Sequence, residues 1–196
     1  KNFNDVVIIA SKDDYSTLLA QLQEQDGTTT LAQRKAFAKK AFHTSSHYDT
    51  AIFNYFNTEE PLNVFKESIA SAQTLRYGEN PHQNAAVYED AMTTSLMTGM
   101  IQLHGKELSF NNLNDLNTAL ELASEFEEPA VAVIKHATPC AAAIGSTIYE
   151  AFVRAYEADK MSIFGGIVAM NKEMDAETAT AMDEIFLEIV AAPSYS

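Results

Sequence analysis

Apolar positions along this chain recur with two spacings, and their alternation predicts short strands separated by helices. Val6–Ile9 is a β-branched run that reads as a strand. The polar stretch 11–14 caps a helix carrying Tyr15, Leu18, Leu19 and Leu22, with Gly27 as its stop. A second helix is expected from Leu31 to Phe42. A third carries Tyr48, Ala51, Ile52, Tyr55 and Phe56, the spacing of one helical face. The chain turns polar from Asn57 to Pro61, where a linker is expected. Beyond it, Ala86–Tyr88 and Gly99–Leu103 suit short strands, and Asp115 can cap a helix with Leu116, Leu120, Ala123 and Phe126 on one side. The apolar run Ala130–Ile134 is too short for a helix and suits a buried strand. A helix over Thr147–Ala158, a strand at Ile167–Met170, a helix from Asp175 towards Ile185 and a strand at Ile189–Ala191 complete the pattern. The class is α/β: a mainly parallel or mixed sheet layered with helices. No repeat or low-complexity segment interrupts it.

Composition narrows the function. The chain has 196 residues, enough for one core or for one domain with part of another. With 13 basic and 27 acidic residues its net charge is −14, a surface that repels a phosphate backbone, so nucleic acid is not an expected partner. An anionic small substrate must therefore meet a local cluster of basic groups. No stretch approaches the roughly 20 apolar residues that span a bilayer, and no membrane partner is expected. The single cysteine, Cys140, cannot form an internal disulfide and fits a reducing cytoplasm. Opening on Lys1-Asn2 and ending on Ser196 behind a strongly patterned segment, the chain reads as an internal part of a longer polypeptide.

Four patterns carry candidate chemistry. Residues 75–83 form an irregular loop dense in hydrogen-bonding groups. In it Arg76 can grip a phosphate or carboxylate with parallel bonds, and Tyr77 can stack on a planar ring. A solvated surface arginine is the competing reading, slightly favoured by composition alone. Lys135-His136 follows the apolar run, at a strand end where ligands of α/β proteins bind. Neighbouring residues of an extended chain point opposite ways, so a turn is needed for both to face one ligand. Pro139 and the small residues Ala141–Ala143 permit that turn. Such a pair suits proton transfer near neutral pH, though a solvated lysine beside a backbone-bonded histidine fits the pattern equally well. Gly165-Gly166 can expose backbone amides to an anion, or can simply turn the chain. Glu188, between Leu187 and Ile189, can accept bonds from an amide or amine, or be the outward residue of an alternating strand.

A metal site is not expected. Pro139-Cys140 begins like the signature of zinc deaminases, but the second cysteine position holds Ala143, and no glutamate sits two residues after a histidine. His43 and His47 are four apart on a helix and lack an evident third ligand.

Taken in order, LRYGENPHQ (75–83), LSFNNLNDLNTALEL (108–122), KHATPCAAAIG (135–145) and ADKMSIFGGIVA (158–169) resemble the transformylase half of the bifunctional AICAR transformylase/IMP cyclohydrolases. Upstream, KNFNDVVIIASKDDY (1–15) and KAFHTSSHYDTAIFNYF (40–56) resemble the end of the cyclohydrolase half and its lead into the transformylase. The resemblance implies a methylglyoxal-synthase-like remnant over 1–58, a linker over 59–72, and a zinc-free, cytidine-deaminase-like layered α/β subdomain over 73–196. It implies formyl transfer from 10-formyltetrahydrofolate to the 5-amino group of aminoimidazole carboxamide ribonucleotide (AICAR), then closure of the product to inosine monophosphate. It implies a homodimer for the full-length enzyme.

The roles follow by position. Lys135 and His136 match the family's catalytic pair, and Arg76, Tyr77, Gly165 and Glu188 match positions that hold the nucleotide. Glu188 stands where some members carry aspartate. Lys1 matches a cyclohydrolase catalytic lysine, with Phe3 where the family's Lys-Asn-His string has histidine. Asp159-Lys160-Met161-Ser162 departs from the Asp-Pro-Val-Ser of many bacterial members. A non-catalytic nucleotide-binding module and a zinc-deaminase relative are the competing classes, separable by AICAR turnover and by zinc content.

Overall fold

A computed structural model describes residues 2–69, 72–88, 95–97 and 99–196, in two compact units, Lys1–Ser71 and Ala72–Ser196. Lys1 lies outside the described residues.

The first unit is helical among its described residues. A 3-10 turn, Lys12–Asp14, leads into α1 (Tyr15–Glu24), and α2 runs from Leu31 to Phe56. The two helices expected over this last stretch are therefore one. Nothing between Phe42 and Tyr48 breaks it, because the sequence there offers hydroxyls rather than glycine or proline. Thr44 donates its hydroxyl to the Lys40 carbonyl at 3.2 Å and Ser46 to that of His43 at 3.3 Å, which keeps both polar groups satisfied on the helix. Its start is a capping box: the Gln33 amide donates to Thr30 Oγ1, and the Thr30 amide to Gln33 Oε1. Buried Asp14 pairs with Lys40 and ties α1 to α2. Val6–Ile9 is not a strand; no described segment of this unit offers its backbone a ladder partner, and Val6 and Ile8 are exposed.

The second unit is mixed α/β, with two sheets among the described residues. The smaller pairs β1 (Ala72–Thr74) with β2 (Ala86–Tyr88), antiparallel. Then come α3 (Phe110–Ser124), β3 (Ala130–Lys135), β4 (Thr138–Ile144), α4 (Ile148–Ala158), β5 (Ile167–Met170), α5 (Ala176–Met182) and β6 (Ile189–Ala191). The larger sheet has the order β4-β3-β5-β6. Its β4/β3 and β3/β5 pairs are antiparallel and its β5/β6 pair is parallel, so it is mixed.

Alternation along β3 builds the layers. Val131 and Val133 join a core with Phe152, Ile148 and Ala155 of α4 and Met182 of α5. Ala132 and Ile134, on the other face, pack with Leu116, Ala119 and Ala123 of α3. One helix thus covers one face of the sheet and two cover the other.

Several expected elements differ. Residues 99–103 form no strand, and Ile101 and Leu103 are exposed. The small residues expected to turn after Lys135 instead form β4: alanine is a poor strand former, but pairing with the buried β3 decides the outcome. Pro139 is tolerated because β4 is an edge strand of this sheet. Helix α3 begins at Ser109, whose hydroxyl accepts the Asn112 amide at 3.2 Å, rather than at Asp115. Helix α5 ends at Met182, short of Ile185.

Candidate functional site

The candidate residues gather at one end of the larger sheet. Lys135 closes β3, and the chain reverses at once through His136 and Ala137, with Lys135 and Thr138 paired across the hairpin. Both turn residues are left-handed, at φ 54° and 55°. That is the conformation two-residue hairpin loops favour, but Asn-Gly is its usual sequence, and a residue with a Cβ held there costs roughly 1–2 kcal/mol. The turn has outside support. Asp115, on α3, accepts the His136 amide at 3.0 Å and the Ala137 amide at 2.7 Å. The register also shifts between Val133 and Ile134, a bulge just before the site, as strands often carry next to functional residues.

Lys135 is half-buried and donates from Nζ to the Phe164 carbonyl at 2.7 Å. The next residue, Gly165, is left-handed at φ 72° and donates its amide to the Phe186 carbonyl at 2.7 Å. Gly166 accepts from the Glu188 amide at 3.0 Å. The glycine pair therefore joins Lys135 to the segment entering β6. Asp159 braces the preceding loop: its carboxylate accepts the Ser162 hydroxyl at 2.6 Å and the Ser162 amide at 3.0 Å. These bonds hold its carboxyl below the ordinary aspartate range. A group so depressed supports the folded loop above its unfolded pKa of about 4 and loses that support as pH falls through its folded value. Protection of the Ser162 amide, read by hydrogen exchange, is expected to hold at neutral pH and to fall below about pH 4. Asp159→Asn is expected to remove that pH dependence.

The loop at 75–83 docks on the start of α3. Arg76 donates its amide to the Leu108 carbonyl at 2.9 Å, and Tyr77 accepts from the Phe110 amide at 3.1 Å. The Arg76 guanidinium lies 4.8 Å from the Tyr77 ring centre and donates to its hydroxyl at 3.2 Å, so one face of that ring already carries a cation. Gly78 is required by close approach, since a Cβ there would stand 2.9 Å from the Gln83 Cβ.

Arg76 and Glu188, 112 positions apart, line one cavity of about 200 Å³ with Lys106, Glu107, Leu108, Asn112, Phe186 and Ile189. Two cations and two carboxylates around a small space suit a polar ligand that carries both an anionic group and hydrogen-bond donors. Sequence reasoning missed Lys106, Asn112 and Phe186. Asn112 was visible only within the 108–122 string, ahead of the helix start expected at Asp115, and the other two fell in stretches without a recognisable pattern. Tyr77, Lys135, His136 and Gly165 do not line this cavity, although Phe164, whose carbonyl Lys135 holds, has its ring 5.8 Å from that of cavity-lining Phe186.

Cys140 donates to the Val133 carbonyl at 3.4 Å, and burial pushes its thiol up. Its side chain packs against the core that Val131 and Val133 share with α4 and α5. His47 shares a 3.2 Å bond with Ser68. Among the described residues, no three histidine, cysteine, aspartate or glutamate side chains converge to hold a metal ion. Nor is any helix among them long and apolar enough to cross a membrane.

The model of the AICARFT/IMPCHase bienzyme family matches residues 1–196. The chain belongs to that family. It is 48% identical over 201 residues to the bifunctional purine biosynthesis protein PurH of Listeria innocua serovar 6a, covering 100% of this chain and 39% of the relative. It is 45% identical over 201 residues to the PurH of Ruminiclostridium cellulolyticum, with the same coverage of each. The PurH of Clostridium beijerinckii is 46% identical over 198 residues, again covering 100% of this chain and 39% of the relative. The chain thus spans 39% of the length of these relatives of the bienzyme family.

Proposed function

We propose that residues 73–196 are the first subdomain of an AICAR transformylase, a zinc-free, cytidine-deaminase-like layer structure. Residues 1–58 are then the end of an IMP cyclohydrolase domain, and 59–72 the linker. The reaction is formyl transfer from 10-formyltetrahydrofolate, a cosubstrate, to the AICAR amine, followed in the whole enzyme by cyclisation to inosine monophosphate. The observation that carries this reading is the Arg76–Glu188 cavity at the sheet end where Lys135 and His136 turn.

The AICAR amine is a weak nucleophile because its lone pair is delocalised into the ring and carboxamide. His136 takes its proton as a bond forms to the formyl carbon, and the bond from that carbon to the folate nitrogen breaks. Lys135 stabilises the developing negative charge or supplies the proton to the leaving nitrogen. Its ammonium has three donors, and among the described residues the Phe164 carbonyl takes one, which leaves two for this work. Arg76 grips the nucleotide phosphate, with Tyr77 beside it. Glu188 accepts from the amide or amine, and Gly165 lets the nucleotide approach the backbone. Lys1 serves the cyclohydrolase half. With 39% of its relatives' length, the chain holds part of this machinery, in an enzyme that works as a cytoplasmic homodimer.

Calorimetry of AICAR binding tests the reading, with Arg76→Ala and Lys135→Ala checked for folding by circular dichroism. Each lost charge-assisted bond is expected to weaken binding by roughly tenfold or more. Binding that is unchanged in both folded variants, or absent in the folded parent, overturns the nucleotide site assigned to this chain.

A further inference from the structure

We infer that Asp115 is a positioning residue, whose carboxylate holds the left-handed turn that presents His136. The inference rests on the reading of Lys135 and His136 as the proton-transfer pair and adds the group that fixes their geometry.

Three observations carry it. His136 and Ala137 are consecutive non-glycine residues at positive φ, and alanine in particular has no local preference for that turn. The two amides they expose are both taken by one carboxylate from a distant helix, one oxygen to each, at 3.0 and 2.7 Å. That helix cannot drift, because Leu116 and Ala119, beside and one turn beyond Asp115, are buried against β3 and β5. Among the described residues the exposed His136 imidazole makes no hydrogen bond, so the backbone beneath it is what fixes the point and the Cα–Cβ direction from which the ring reaches out. Holding that backbone therefore limits the positions the base can reach. In the sequence Asp115 reads as a helix cap, and only the hairpin facing it gives it this other purpose.

The test uses the 196-residue chain and its Asp115→Ala, Asp115→Asn and Asp115→Ala/Ala137→Gly variants, followed by NMR. In Asp115→Ala, exchange of the His136 and Ala137 amides is expected to rise roughly tenfold or more, while the Val131 and Val133 amides stay slow and report an intact sheet. Asp115→Asn keeps one acceptor oxygen and is expected to fall between. Adding Ala137→Gly supplies the residue that left-handed turns favour, and is expected to restore the Lys135–Thr138 pairing without restoring the lost acceptor. With AICAR added, the parent's His136 ring signals are expected to shift. In Asp115→Ala the nucleotide still binds but the ring response is lost, and the glycine variant regains it. A helix residue with a merely structural role would not be rescued from within the turn. Parent-like exchange and ring response in Asp115→Ala overturn the inference. If AICAR leaves the parent's spectrum unchanged, the nucleotide-site reading fails, and the ligand-free exchange rates still decide what Asp115 does.

Discussion

Phe152→Ala is expected to destabilise the second unit by about 3–5 kcal/mol. Phe152 is 2% exposed and sits on α4 among Val131, Val133, Val168 and Met170 of the sheet and Met182 of α5. Its ring also stacks on that of Tyr156 at 6.1 Å. Truncation removes the apolar surface and leaves a void between two layers that both have fixed backbones, so little collapse can refill it. Alanine neighbours make refilling harder still: Ala151 and Ala155, beside it on the helix, carry only methyl groups that cannot extend into the void. Urea unfolding followed by circular dichroism, with amide exchange in β3 and β5 assigning the loss to this unit, measures the effect. A change below about 1 kcal/mol would mean that this face of the sheet is not the packed core described.

The parts of the fold readable from the sequence are those where one face or run decides the outcome. The run Ala130–Ile134 had to be a buried strand whichever partners it found, and α4 announces itself through Ile148, Phe152 and Ala155 on one side. What was hidden depends on partners distant in sequence. Strand β4 is alanine-rich and becomes a strand only against β3. Asp115 resembles a helix cap, and its real use requires knowing that the hairpin turn lies 21 residues on. Val6–Ile9 shows the reverse case, a strand-like run with no partner in its own unit. The same division holds for the site. Arg76, Lys135 and Glu188 are visible as unusual charges in patterned contexts. That Arg76 and Glu188 share a cavity, and that Lys106 joins them, follows only from the way the 75–83 loop docks on the start of α3.

The two glycines beside Lys135 are expected to respond differently to alanine, and the difference separates a packing role from a ligand-facing one. At Gly166 an added Cβ would lie 2.8 Å from Val133 Cγ1 and 3.0 Å from the Ile163 carbonyl oxygen. Both neighbours are buried, and one is backbone, so the strand itself must move. Gly166→Ala is therefore expected to cost about 1–3 kcal/mol. It should also disturb the site, because Gly166 accepts the Glu188 amide and follows the residue that holds Phe186. At Gly165 the nearest atoms to an added Cβ are Phe186 ring carbons at 3.9 and 4.0 Å, ordinary contact distances. There the cost is conformational, roughly 1–2 kcal/mol for a Cβ at φ 72°. Thermal unfolding gives the stabilities and AICAR calorimetry the consequence for the cavity. Should Gly166→Ala melt like the parent while Gly165→Ala alone loses the nucleotide, Gly166 would be no packing device and the ligand would run against Gly165. Equal loss of stability and of binding in Gly166→Ala would instead mean that the cavity's shape is carried by the close approach of β5 to β3. Glycine is then required at 166 because the sheet leaves no room for a side chain, and Lys135 and Glu188 inherit their separation from that packing.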